Sequence, residues 1–123
     1  MLMTTLHDEI AAVLPGMIAV RHHLHEHPEL AYEEHATSDL VAERLAAFGY
    51  EVHRGLGGTG VVGRLRNGTG RKCVGIRADM DALPIIESTG LPYSSKHQGR
   101  MHACGHDGHT ATLLAAAQHI AQT

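Results

Sequence analysis

The stretch Gly99-Arg100-Met101-His102-Ala103-Cys104-Gly105-His106-Asp107-Gly108-His109 gathers one cysteine, three histidines, one aspartate and three glycines into eleven residues. Thiolate, imidazole and carboxylate are the usual ligands of zinc and of related divalent ions. Glycines let the backbone turn sharply and bring such side chains inward. A helix-forming run, Thr110-Ala111-Thr112-Leu113-Leu114-Ala115-Ala116-Ala117, follows at once. The cluster is therefore expected on a loop that feeds a helix N-terminus, with Asp107 as the N-cap. The positive end of the helix dipole suits an anionic group, and a Cys104 thiolate there would be in the form that binds metal.

Other stretches carry weaker signals. Asp79-Met80-Asp81 places two carboxylates at i and i+2, at the end of an expected strand, where ligands gather in α/β sheets. The plainer alternative is two solvated acids in a turn. His22, His23, His25 and His27 crowd one helix end. His23 and His27, four apart, could share a face, but a polar helix end favoured by the dipole explains them as well. Glu33 and Glu34 read as first-turn acids rather than an acid–base pair. The glycine-rich GLGGTG of Gly55–Gly60 lacks the Lys-Ser or Lys-Thr of a phosphate loop and reads as a connector.

The elements that must position these residues follow from periodicity. Leu6, Ile10, Val13, Leu14, Met17, Ile18 and Leu24 predict an amphipathic helix from about Thr4 to His27, kinked or restarted at Pro15-Gly16 and ended by Pro28. A second helix is expected from Glu33 to Phe48, with Leu40, Val41, Arg44, Leu45 and Phe48 as its stripe and Gly49 as its stop. A short strand covers Tyr50 to His53. Val61–Arg66 and Lys72–Ala78 are expected to pair as a hairpin across Asn67-Gly68, with Cys73 buried in its second strand. Ile85 to Gln98 shows no period and reads as a loop. Asp107 to Gln122 closes the chain as a helix, with Leu113, Leu114, Ala117 and Ile120 inward.

A length of 123 residues suits one small domain, and 43% hydrophobic residues suffice for a core. Phe and Tyr total four and Trp is absent, so that core must be aliphatic. The net charge of −3 gives no support for a nucleic-acid or membrane partner. Two cysteines make no disulfide framework, which fits a reducing cytoplasm. The N-terminus lacks the charged-then-apolar pattern of a signal peptide, and no apolar run is long enough to span a membrane.

Three blocks together carry a resemblance: RHHLHEHPELAYEE over Arg21–Glu34, RADMDALP over Arg77–Pro84, and GRMHACGHDGH over Gly99–His109. In this order they resemble the metal-dependent amidohydrolases that include hippurate hydrolases, N-acyl-amino-acid amidohydrolases and the indole-acetyl-amino-acid hydrolases of plants. The resemblance implies an α/β fold, a three-layer α/β/α zinc-peptidase-like catalytic domain with a mixed sheet between helices. Residues 1–123 would be its N-terminal part. It further implies two divalent ions per site, Zn, Mn, Co or Ni, which activate water for attack on the amide carbonyl of an N-acyl amino acid.

On this resemblance Cys104 and His106 match two metal ligands. Asp81 keeps the place of an acid that orients a ligating imidazole. Asp79 stands where the wider clan has a ligating histidine, so its own ligation stays open. His102 could lie behind the ligands, and His109, in a first helical turn, is expected to face solvent. The remaining ligands, the general-base glutamate and a lid domain are expected beyond Thr123, so the chain alone would be inactive. A homo-oligomer is compatible with this reading. Two other readings stand beside it: a small non-catalytic metal-binding module, and a structural fragment that needs a partner chain.

Overall fold

Three helices and one hairpin follow in the order α1 (Leu6–Glu26), α2 (His35–Ala47), β1 (Glu51–Leu56), β2 (Gly60–Arg64) and α3 (His106–Gln122), in a computed structural model that describes residues 3–123. α1 starts at a capping box, in which the Asp8 amide donates to Thr5 Oγ1 at 3.1 Å and the Thr5 amide donates to Asp8 Oδ2 at 3.0 Å. Of the kink or restart expected at Pro15-Gly16, the restart does not occur; the helix runs through Pro15. Proline removes the donor to the Ala11 carbonyl. That loss falls on an exposed face, while Met17, Val20 and Leu24 bury the opposite one.

The buried stripe of α1 is shorter than its apolar pattern. Leu6, Ile10, Leu14 and Ile18 are exposed, because α3 covers the face carried by Met17, Val20 and Leu24. These three pack with Leu45 of α2 and with Ala111, Leu114 and Ala117 of α3. The α3 residues fall at i, i+3 and i+6, one face of the helix, with Leu114 between two alanines. Leu113 is half-buried and Ile120 exposed, so Ala111 takes the inward place expected of them. The Tyr50 hydroxyl donates to the Ala117 carbonyl at 2.8 Å and ties the hairpin to α3.

α2 begins one residue after the acids expected in its first turn. Glu34 is buried and accepts from the Tyr32 amide at 2.6 Å and from the Thr59 hydroxyl. The free amides of the helix are met instead by Glu29, whose carboxylate accepts from Ala36 N–H at 3.0 Å and Thr37 N–H at 2.6 Å.

The hairpin forms one step earlier in the chain than Asn67-Gly68 suggests. β1 pairs antiparallel with β2, from Glu51 opposite Arg64 to Leu56 opposite Gly60, with an irregularity between Arg54 and Leu56. The segment read as a connector is therefore its turn. Gly63 packs tightly: a Cβ there would lie 3.0 Å from Leu45 Cδ1, so the leucine side chain would have to shift. Residues 65–81 form no strand, and Cys73, expected buried, is exposed. The physical reason is the absence of a neighbour: Val74 is 82% exposed and Ile76 also faces outward, so an extended segment there has neither a ladder partner nor a covering layer.

The α/β class holds, with a two-stranded sheet among the described residues. The parallel component is reduced to one bridge, Leu30 with Ala82, flanked by an antiparallel bridge, Leu83 with Met101. Among the described residues no helix is long and apolar enough to cross a membrane.

Candidate metal centre

Three short extended pieces position the chemistry-bearing loops. The Ala82 amide donates to the Glu29 carbonyl at 2.7 Å. Leu83 and Met101 exchange amide-to-carbonyl bonds of 2.9 and 3.0 Å. The Asp79–Asp81 stretch is thus pinned from one side by the chain after α1 and from the other by the chain that enters the Cys104–His109 loop. Gly105, in the left-handed region at φ 92°, turns that loop into α3 and takes the N-cap position expected of Asp107.

His106 opens α3 and is held from behind. Its Nδ1–H donates toward Asp81, 2.9 Å from Oδ1 and 3.0 Å from the main-chain carbonyl. That contact fixes the ring orientation and leaves Nε2 as the outward nitrogen. Nε2 lies 3.3 Å from Asp79 Oδ2, and the other Asp79 oxygen lies 2.8 Å from His109 Nδ1. The potential ligand atoms of Asp79, His106 and His109 all lie within 4.8 Å of one another. The His109 hydrogen bond, with the nearby His106 and His109 charges, outweighs burial and holds the Asp79 carboxyl below its ordinary range. The Thr110 hydroxyl, 2.9 Å from both the Asp79 and His106 carbonyls, joins the two loops.

The site residues expected from sequence are therefore brought together in part. Asp81 stands behind His106. Cys104 lies two residues before it on the same loop, exposed. Asp79 and His109, whose roles were open, form the group with His106, and His109 is exposed as expected, at 57% of its side chain. Two imidazoles and one carboxylate suit zinc and the neighbouring divalent ions in donor type, and the prior hold on His106 Nδ1 is the usual support of a ligating imidazole. An open cleft of about 1430 Å³, walled by β2, residues 65–78 and the Leu113–Ile120 face of α3, reaches Asp79 and Asp81.

Behind the loop lies a buried polar layer that sequence reasoning missed. Asp107 is 2% exposed. Its Oδ2 accepts from His25 Nδ1 at 2.9 Å and Arg21 Nε at 3.1 Å. Burial pushes its carboxyl up, but the bonds from His25 and the Gly108 amide, with the charges of His102 and Arg21, outweigh it and keep it below the usual range. The other His25 nitrogen lies 3.0 Å from Glu87 Oε1. Tyr93 stacks on His22 at 3.8 Å and lies under the Arg21 guanidinium. The available signal was the i, i+4 spacing of Arg21 and His25, which puts both on the buried side of α1. Among the described residues His102, 5% exposed, has no partner for either ring nitrogen. Burial pushes its imidazole down.

Residues 75–123 match the family described as Peptidase family M20/M25/M40. The hippurate hydrolase of Campylobacter jejuni is 57% identical over 102 residues, 83% of this chain and 27% of the relative. The N-acyl-L-amino acid amidohydrolase of Geobacillus stearothermophilus is 49% identical over 111 residues, 89% of this chain and 30% of the relative. Among solved structures, the Bacillus subtilis YXEP protein, a dinuclear metal binding peptidase from the M20 family, superposes with a TM-score of 0.82 at 40% identity. That match covers 91% of this chain and 32% of the solved one. The chain spans less than a third of the length of these relatives.

Proposed function

This chain belongs to Peptidase family M20/M25/M40, and from that premise we propose that it is the N-terminal metal-binding part of a hydrolase acting on the amide bond of N-acyl amino acids. The observation that carries the reading is the hold of Asp81 on His106 Nδ1 at 2.9 Å, which presents Nε2 outward. Cys104 and His106 are the proposed metal ligands, and Asp81 is the residue that orients the second. Asp79 is an additional oxygen donor within reach of His106. The ions, two in the complete site and of the Zn, Mn, Co or Ni type, supply Lewis acidity that polarises the amide carbonyl and acidifies water.

What this chain contributes on its own is orientation. Asp81 selects the tautomer of His106. Thr110 fixes the distance between the Asp79 and His106 loops. In the proposed complete domain the sheet continues on the open side of residues 65–78 and makes the middle of a three-layer α/β/α arrangement.

A chimera tests the reading. This chain replaces the matching segment of the Campylobacter jejuni hippurate hydrolase, and hydrolysis of N-benzoylglycine is measured with metal content. The chimera is expected to be active, and His106→Ala in it to lose both metal and rate. A folded, metal-loaded chimera without activity overturns the proposal.

A further inference from the structure

We propose that His25 is a positioning residue for the metal centre, acting on His106 through Asp107; this rests on the metal reading above. His25 is 3% exposed and lies on α1, while the ligand loop is 82 residues away along the chain. Its two nitrogens are both engaged. Nδ1 meets Asp107 Oδ2 at 2.9 Å, and Nε2 meets Glu87 Oε1 at 3.0 Å. Glu87 is in turn held by the Ser95 amide at 2.9 Å and by the Thr89 hydroxyl. The ring is thus a rigid strut between the long Ile85–Gln98 loop and the first turn of α3.

The consequence for His106 follows from adjacency. Asp107 is the next residue, and Gly105 before it has no side chain and a left-handed backbone. Among the described residues no side chain makes an N-cap hydrogen bond to α3. The orientation of that turn is therefore set by Asp107 on one face and by Thr110 and Asp81 on the other. Cutting the His25–Asp107 bond leaves Asp107 held from α1 by Arg21 Nε alone, at 3.1 Å; one of the two anchors loosens, and the aim of His106 Nε2 relaxes. A merely structural role for His25 predicts loss of stability without a change in how His106 is held.

The two isosteric replacements separate these cases. An asparagine amide nitrogen falls near the Nδ1 position of histidine, and a glutamine amide nitrogen near Nε2. His25→Asn therefore keeps the bond to Asp107 and loses Glu87, while His25→Gln does the reverse. The first readout is the nitrogen-15 chemical shifts of His106 in the metal-free 123-residue chain, at an alkaline pH where imidazoles are neutral. The wild type and His25→Asn are expected to show a single Nδ1–H tautomer, and His25→Gln an average of the two. The second readout is cobalt(II) affinity. His25→Gln is expected to weaken it about tenfold, as loss of a supporting partner does, and His25→Asn to restore most of it. Leu24→Ala, a neighbouring core truncation that leaves Asp107 untouched, serves as the control for lost stability. The proposal is overturned if Asn and Gln give the same His106 shifts, or if Leu24→Ala alters them as His25→Gln does. Cobalt(II) affinity is read in the chimera with the complete site; a wild-type chimera that binds none sinks the metal reading instead, and the shifts still decide the positioning role.

Discussion

Cys104 and Cys73 are both exposed, so any difference between them must come from place rather than burial. Cys104 sits on the loop that delivers His106, next to the left-handed Gly105. Cys73 sits on an extended segment with nothing against it. In a chimera with the complete site, Cys104→Ser is expected to abolish the thiolate-to-cobalt charge-transfer band and most of the metal affinity, because a serine hydroxyl is a poor ligand for a borderline-soft ion. In the 123-residue chain, where Cys73 is exposed, Cys73→Ser is expected to change stability by less than about 0.5 kcal/mol, the range of ordinary surface substitutions. Retention of the band by Cys104→Ser would remove Cys104 from the ligand set.

Asp107 gives a prediction of the opposite kind, since it is buried. Asp107→Asn weakens bonds in which a charged acceptor meets Arg21 and His25, and is expected to cost about 1.5–3 kcal/mol near neutral pH. The folded carboxyl is held below its unfolded value. Its stabilisation is therefore complete above the unfolded value of about 3.9 and is lost as pH falls through the lower folded one. The melting-temperature gap between wild type and Asp107→Asn should stay constant from neutral pH down to about 5 and close in more acid solution. A gap that does not change with acidification would mean that Asp107 acts only as a neutral hydrogen-bond acceptor. At this scale the sequence was a good guide to which residues matter and a poor one to what they do. His106 and Asp81 meet as the family resemblance implied, whereas Asp107 read as a cap because a local rule cannot see His25 and Arg21, more than 80 residues away.

At the scale of elements, α1 shows what tertiary packing overrides. Pro15-Gly16 allows a restart by intrinsic propensity, yet the helix is continuous, since Met17, Val20 and Leu24 bury against α3 just beyond it. Pro15→Ala restores the missing donor and is expected to raise stability by about 1–3 kcal/mol, seen as a higher melting temperature with unchanged helix content. A fall in stability would show that the proline matters to the packing angle of α1. The hairpin errs in the other direction. Asn67-Gly68 carries the stronger turn signal, but a turn forms a hairpin only where both flanking segments find partners. β1 and β2 have α2 and Tyr50 beneath them, and residues 72–78 have nothing. The three helices were legible because their apolar spacing is local; the strand was not, because its stability depends on neighbours.

For the whole molecule, the open side between residues 65–78 and α3 decides behaviour. The 123-residue chain presents Cys104, His106, Asp79 and His109 without the further carboxylates and imidazoles that the family resemblance implies. It is expected to bind Zn²⁺ or Mn²⁺ far more weakly than the roughly 10–16 kcal/mol of complete structural zinc sites. It is also expected to give no turnover of N-benzoylglycine, with no base positioned for proton transfer. Titration calorimetry and a hydrolysis assay against a Cys104→Ala control check both. Tight one-to-one binding would show that Asp79, His106 and His109 make a sufficient site by themselves.

The bridges that pin the site join Glu29–Leu30 to Ala82, and Leu83 to Met101, while His25 reaches Asp107. Every one of these contacts spans many residues, so during synthesis the N-terminal half leaves the ribosome with its polar groups unpaired. α1 and α2 can coil early, but the Glu29 carbonyl must wait for Ala82, and His25 and Arg21 for Asp107 of the last helix. Assembly of the ligand loop and closure of the core are consequently one event. Amide exchange at the C-terminal turns of α1 should slow only when α3 is present, and the two should open together.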